Sequence, residues 1–179
     1  ISCNLGSLNI ATVMENKRVK ETIRTAMRAL TIVTDVTDIE MVPSIAKANR
    51  ELHSVGLGAM NLHGYLAKSF IMYESHEALD FANSFFMMMN YYSLEASMEI
   101  AKERGKTFVG FEKSAYKDGT YFDKYLSRDY LPQTDKVKEL FDGVHIPTIE
   151  DWANLKAQVQ EHGIYHAYRL AIAPNQSTS

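Results

Sequence analysis

Residues 1–10 read ISCNLGSLNI, with no charged side chain among them. Leu5, Leu8 and Ile10 are apolar, Gly6, Ser7 and Asn9 interrupt them, and no helical period runs through the stretch. That pattern suits an uncharged strand. Cys3 is the only cysteine of the chain. A lone thiol is more often an inert core residue than a working one, since reactivity needs a basic neighbour to favour the thiolate, and none stands beside Cys3 in sequence. Both readings stay open at this point, and the opposite end of the chain bears on the choice.

Residues 165–173 read as a strand, with Leu170, Ala171, Ile172 and Ala173 as a buried run. The run meets Pro174, and Asn175, Gln176, Ser177, Thr178 and Ser179 follow without a bulky apolar residue. In α/β proteins such a strand end is where anionic groups of a ligand meet backbone N–H donors and a helix start. Hydroxyls at Ser177, Thr178 and Ser179 would donate to phosphate oxygens without adding charge. A plain surface turn with a helix N-cap is the competing reading, and the more frequent one for such a sequence taken alone.

The bulk composition narrows the classes. The chain has 179 residues, 46% hydrophobic and 23% charged, with a net charge of −3. This suits one globular domain, or a piece of a larger one, with a sizeable core. The charge balance offers no broad basic field for nucleic acid or an anionic membrane, and no apolar run approaches the ~20 residues that span a bilayer. One cysteine excludes an intrachain disulfide framework and favours a reducing, cytoplasmic setting. The chain starts at Ile1 and stops at Ser179, directly after a strand-like run. Both ends read as cuts in a longer polypeptide.

Between the ends the pattern is helical. Val19, Ile23, Ala26, Met27, Leu30 and Val33 recur at spacings of three and four and predict a helix over 18–36, preceded by a polar turn at 15–20. Pro43 suits the first turn of a short helix to about 49. Gly56 and Gly58 predict an extended entry near 54–58, followed by a helix to about 68. A Gly-x-Gly invites a phosphate-loop reading, but position 61 is Asn and the next glycine is Gly64, so the dinucleotide fingerprint fails. Close backbone packing is the better reason for these glycines. Ser75 caps the longest predicted helix, 76–104, which Gly105 ends. Its apolar residues, among them Leu79, Phe86, Met89 and Leu94, lie almost all round it, which predicts a central, buried helix. The aromatic stretch 106–130 predicts short helices forming a packed surface layer. A short helix at 135–142 follows, and then one capped by Thr148 and closed by Gly163.

None of the six histidines forms a metal-ligand spacing with a carboxylate or with Cys3, and a metal site needs three or four ligands. A Cys–His nucleophile fails in the same way.

Taken together, SCNLGSLNI at 2–10, GLGAMNLHGYLAK at 56–68, YYSLEASMEIAKERG at 91–105 and LAIAPNQSTS at 170–179 resemble the catalytic (large, α) subunit of aerobic class I ribonucleotide reductases, nearest the class Ib branch. The motifs run from end to end of the chain and in the family's order. The resemblance implies an α/β fold: a fragment of the family's ten-stranded α/β barrel, mostly helical here with a strand at each end, so that 1–179 is part of one catalytic domain. It implies reduction of ribonucleoside diphosphates to 2′-deoxyribonucleotides by thiyl-radical chemistry. Cys3 would be one of the two redox cysteines, its partner and the radical cysteine lying upstream of Ile1. Leu5 would lie against the sugar, and Pro174, Asn175, Gln176, Ser177 and Thr178 match the diphosphate-binding loop. No cofactor would bind in this segment: the radical would come from the metal centre of a small (β) subunit and the electrons from a thioredoxin- or glutaredoxin-like protein. The α subunit would pair with itself, and neither nucleic acid nor a membrane would be a partner. The segment alone is expected to be inactive. The alternative is a non-catalytic helical interaction module with Cys3 as a buried structural residue.

Overall fold

The structure is a computed structural model that describes residues 4–37 and 39–175. Two strands, β1 (Asn4–Asn9) and β2 (Val55–Met60), lie side by side and parallel, in register from Asn4 opposite Val55 to Asn9 opposite Met60. Parallel pairing requires a long crossover, here three helices: α1 (Ile10–Asn16), α2 (Val19–Val36) and α3 (Pro43–Leu52). Helix α1 has no counterpart among the predicted elements. Ile10, Val13 and Met14 bury one face of it, and Asn9 caps it by accepting from the amides of Ala11 and Thr12. The polar stretch after it is the end of α1 and a turn in which Lys17 takes φ 55°.

Helix α2 buries the expected stripe, Val19, Ile23, Met27 and Leu30, against the two strands and the long helix α5 (His76–Arg104). Helix α4 (Leu62–Lys68) links β2 to α5. The Ser75 hydroxyl accepts from the Ala78 amide at the start of α5, and Gly105 ends it at φ 59°. Most of α5 is buried, as its composition predicts, but Leu79 is 64% exposed. It sits in the first turn, beyond the reach of the covering elements. On the flank where α2 and α5 meet, Lys20 pairs with Glu95 at 2.9 Å, Arg24 with Glu99 at 2.8 Å and Arg28 with Glu103 at 2.6 Å. The offset along the two chains is constant, so the helices run parallel.

The aromatic stretch folds into helical turns at Phe111–Lys113 and Thr120–Phe122, with α6 (Ala115–Asp118) and α7 (Asp123–Leu126) between and after them. It is core rather than a surface layer: Phe108, Phe111, Phe122 and Tyr125 are buried. Alternation of aromatic and charged residues hid this, because each short turn points one ring inward. Helix α8 (Asp135–Leu140) and α9 (Ile149–His162) complete the layer. Thr148 and Asp151 form a reciprocal capping box at the start of α9. Trp152 of α9 is buried and stacks on Tyr125 with ring centroids 3.9 Å apart.

The run expected as a terminal strand follows β2 but joins it through a single bridge, Leu57 with Leu170. The apolar residues at 170–173 are not buried either: Leu170 is 38% and Ile172 69% exposed. Among the described residues the second strand is therefore the internal β2. The run leaves the ladder after Ala171 because it turns across the face of the sheet. No described helix is long and apolar enough to cross a membrane.

Candidate functional site

Strand β1 divides its side chains by parity. Asn4, Gly6 and Leu8 face α2: the Asn4 amide donates to the Thr34 hydroxyl at 2.7 Å, a Cβ on Gly6 would rest 3.4 Å from Leu30, and Leu8 packs on the core. Leu5, Ser7 and Asn9 face the other way, opposite Gly56, Gly58 and Met60 of β2. Two glycines on the neighbouring strand leave that face open, and Leu5 is 53% exposed on it.

The C-terminal run crosses this open face. The amide of Val55 donates to the Tyr168 carbonyl at 3.0 Å, that of Leu57 to Arg169 at 2.8 Å, and that of Ala171 to the Leu57 carbonyl at 3.1 Å. Beyond that point the Ala171 carbonyl lies over Gly58, where a Cβ would collide with it. This is the close backbone packing expected of these glycines, and it takes the chain from the flank of β2 towards β1. The Ser7 hydroxyl then donates to the side-chain oxygen of Asn175 at 2.8 Å. Of the residues singled out in the sequence, Leu5, Pro174 and Asn175 are thus gathered on one face, Pro174 exposed and Asn175 half-buried. Cys3, Gln176, Ser177 and Thr178 lie outside the described residues.

Two buried polar residues hold the run before it crosses. His166, fully buried, makes hydrogen bonds of 2.9 Å with Thr31 of α2 and of 2.9 Å with Ser97 of α5, one through each ring nitrogen. Burial, reinforced by the charges of Arg169, His53 and Arg104, pushes its pKa down to about 3, so it is neutral. Arg169 is buried as well. Its guanidinium donates to the Asn90 carbonyl at 3.1 Å, the Ser93 hydroxyl at 2.6 Å, the Asn90 side-chain oxygen at 3.0 Å and the Tyr121 hydroxyl at 3.1 Å. Burial alone would lower its pKa, but the tyrosine oxygens of Tyr121 and Tyr116 outweigh this and raise it. The sequence reading missed Ser7, His166 and Arg169 as participants. The available signal was an arginine at the head of an apolar run, which a buried strand tolerates only with acceptors to meet it.

No charged side chain occurs at 4–9, 55–60 or 170–175. Hydroxyl, amide and glycine backbone stand on this face beside the half-exposed Leu5. Among the described residues no group of three His, Cys, Asp or Glu side chains could hold a metal ion.

Parallel strands joined through covering helices make this an α/β arrangement. The chain matches the family model described as ribonucleotide reductase, barrel domain, over residues 1–179, and it belongs to that family. It is 58% identical, over its whole length, to the ribonucleoside-diphosphate reductase subunit alpha of Bacillus subtilis (strain 168), covering 26% of that protein. It is 55% identical over its whole length to the NrdEB subunit alpha of Bacillus phage SPbeta, covering 16% of it, and 47% identical to the subunit alpha of Mycoplasma pneumoniae, covering 26%. The chain thus spans about a quarter or less of the length of these relatives.

Proposed function

We propose that this chain is the part of a ribonucleoside-diphosphate reductase α subunit that brings a redox cysteine strand together with the loop that binds substrate diphosphate. The observation that carries the reading is the Ser7–Asn175 hydrogen bond, which ties β1 to the C-terminal run across Gly58. Cys3 precedes Leu5 by two residues and Ser177 follows Asn175 by two, so the tie joins the two stretches that the chemistry needs close together.

In this reading Leu5 packs against the ribose, and the backbone and hydroxyls of residues 174–178 hold the diphosphate. Cys3 and a second cysteine of the α subunit supply two electrons and two protons. Their sulfurs join in a disulfide, the ribose 2′-hydroxyl leaves as water, and a hydrogen takes its place. A thioredoxin- or glutaredoxin-like protein returns the disulfide to two thiols. A small β subunit with its metal centre supplies the radical, the α subunit forms a homodimer, and the setting is the cytoplasm. An uncharged setting serves this chemistry: a reducing thiol works beside the sugar when water is kept away, and hydroxyl and N–H donors meet phosphates without adding charge.

The test is Cys3→Ser in the full-length subunit. Substrate binding should persist while thioredoxin-dependent multiple turnover is lost. Normal turnover by that variant would favour the helical interaction module instead. The 179-residue chain alone is expected to show no reductase activity.

A further inference from the structure

We propose that Arg169 is a positioning residue for the diphosphate loop: it rivets the C-terminal run to the helical layer so that residues 171–175 cross Gly58 at the height of Ser7. The inference rests on the diphosphate-loop reading above. Arg169 is linked in three directions. Its carbonyl accepts from Leu57 of β2, its guanidinium grips Asn90 and Ser93 of α5, and the same fork reaches Tyr121 in the turn before α7. Two residues further on, Ala171 makes the last main-chain bond to β2 before the crossing.

The chemistry of the fork is unusual. No ion pair among the described residues includes Arg169, and its Nε is buried without a hydrogen-bond partner. A buried cation that faces neutral oxygens and the Tyr116 ring, with no carboxylate, is a poor way to gain stability, and apolar replacements of buried charges are often neutral or better. Geometry is what the planar fork provides: donors in fixed directions that set the residue's place against α5 to within a hydrogen-bond length. Lysine keeps the charge but loses that geometry, so it separates placement from electrostatics.

The experiment uses the full-length α subunit with the β subunit present, and measures equilibrium binding of cytidine diphosphate and of cytidine, kcat and KM, and the thermal midpoint. Arg169→Lys and Arg169→Met should each weaken the diphosphate by about tenfold, the loss of one well-placed charged hydrogen-bond set. Cytidine binding should stay within twofold, and kcat at saturating substrate should be largely kept. Tyr121→Phe removes one acceptor of the fork, together with the bond that the same hydroxyl donates to Asn90, and should give a smaller loss of the same kind, which keeps the inference testable if the Arg169 variants do not fold. A lowered thermal midpoint with unchanged diphosphate affinity, or equal weakening of diphosphate and nucleoside, would overturn it. Ser177→Ala and Thr178→Ala separate the two levels. If they weaken the diphosphate and the Arg169 and Tyr121 variants do not, only this inference falls. If they leave it unchanged, the loop reading falls and takes the inference with it.

Discussion

Acidification should loosen this fold, most strongly through one imidazole. His166 bridges α2 and α5 in neutral form with a pKa of about 3, against an ordinary value of 6.5. A base whose pKa is depressed by folding gives stability that is complete above 6.5 and is lost as pH falls from 6.5 towards 3, because only the unfolded chain takes up the proton. The slope approaches about 1.4 kcal/mol per pH unit, and integration from pH 7 to pH 5 gives a loss of about 2 kcal/mol. His53, buried and stacked on Tyr165, is lowered to about 4 by burial and by the charge of Lys106 and acts in the same sense. The perturbation is His166→Gln, which puts a neutral amide, still able to donate and accept, in place of the imidazole and removes the titration. Urea unfolding at pH 7 and pH 5, followed by the fluorescence of the single, buried Trp152, reads the difference. The variant should be less stable at pH 7 yet lose about 2 kcal/mol less than the wild type on going to pH 5. Superimposable pH dependence in the two proteins would refute the assignment of a neutral, buried His166.

Gly58→Ala should cost about 1–3 kcal/mol, since the new Cβ meets backbone that has no rotamer to yield; hydrogen exchange at the Ala171 amide should speed up as the crossing is displaced. The buried Asp80 carboxylate accepts from the amides of Gln133 and Thr134 and from the Thr134 hydroxyl. Asp80→Ala strands both amides and should cost about 2–4 kcal/mol in denaturant unfolding, with Asp80→Asn recovering part of it. Thr148→Ala removes half of the capping box on α9 and should cost about 1 kcal/mol, measured as a shifted denaturation midpoint with unchanged slope.

The helices other than α1 were legible because their signals are local. The stripe of α2, Ser75 and Gly105 around α5, and Thr148 and Gly163 around α9 each act within a turn or two. What was not legible depends on neighbours distant in sequence. Residues 170–173 look like a buried strand, but Gly58 lets the chain leave the ladder and cross the sheet, and Ile172 ends up exposed. The rings at 108–125 look like a surface layer until α5 and α9 close over them. At the candidate site the sequence pointed to Leu5, Pro174 and Asn175, which the fold brings to one face. It did not point to Ser7, whose role comes from a partner 168 positions away.

The salt-bridge row between α2 and α5 repeats every fourth residue on both helices. As a ruler it is therefore degenerate. Sliding α2 by one turn, about 5 Å, would pair Lys20 with Glu99 and Arg24 with Glu103, keeping two rungs of three. The row alone does not choose among neighbouring stops, whereas the reversed pair at its end, Asp35 of α2 with Arg104 of α5 at 2.7 Å, fits only one of them. His166 is aperiodic: one ring, one threonine and one serine, satisfied at a single setting. Because α2 carries β1 through the Asn4–Thr34 bond while α5 carries Arg169, that setting works like a vernier. Together with the β1–β2 ladder and the bonds from β2 to the run, it sets Ser7 level with Asn175.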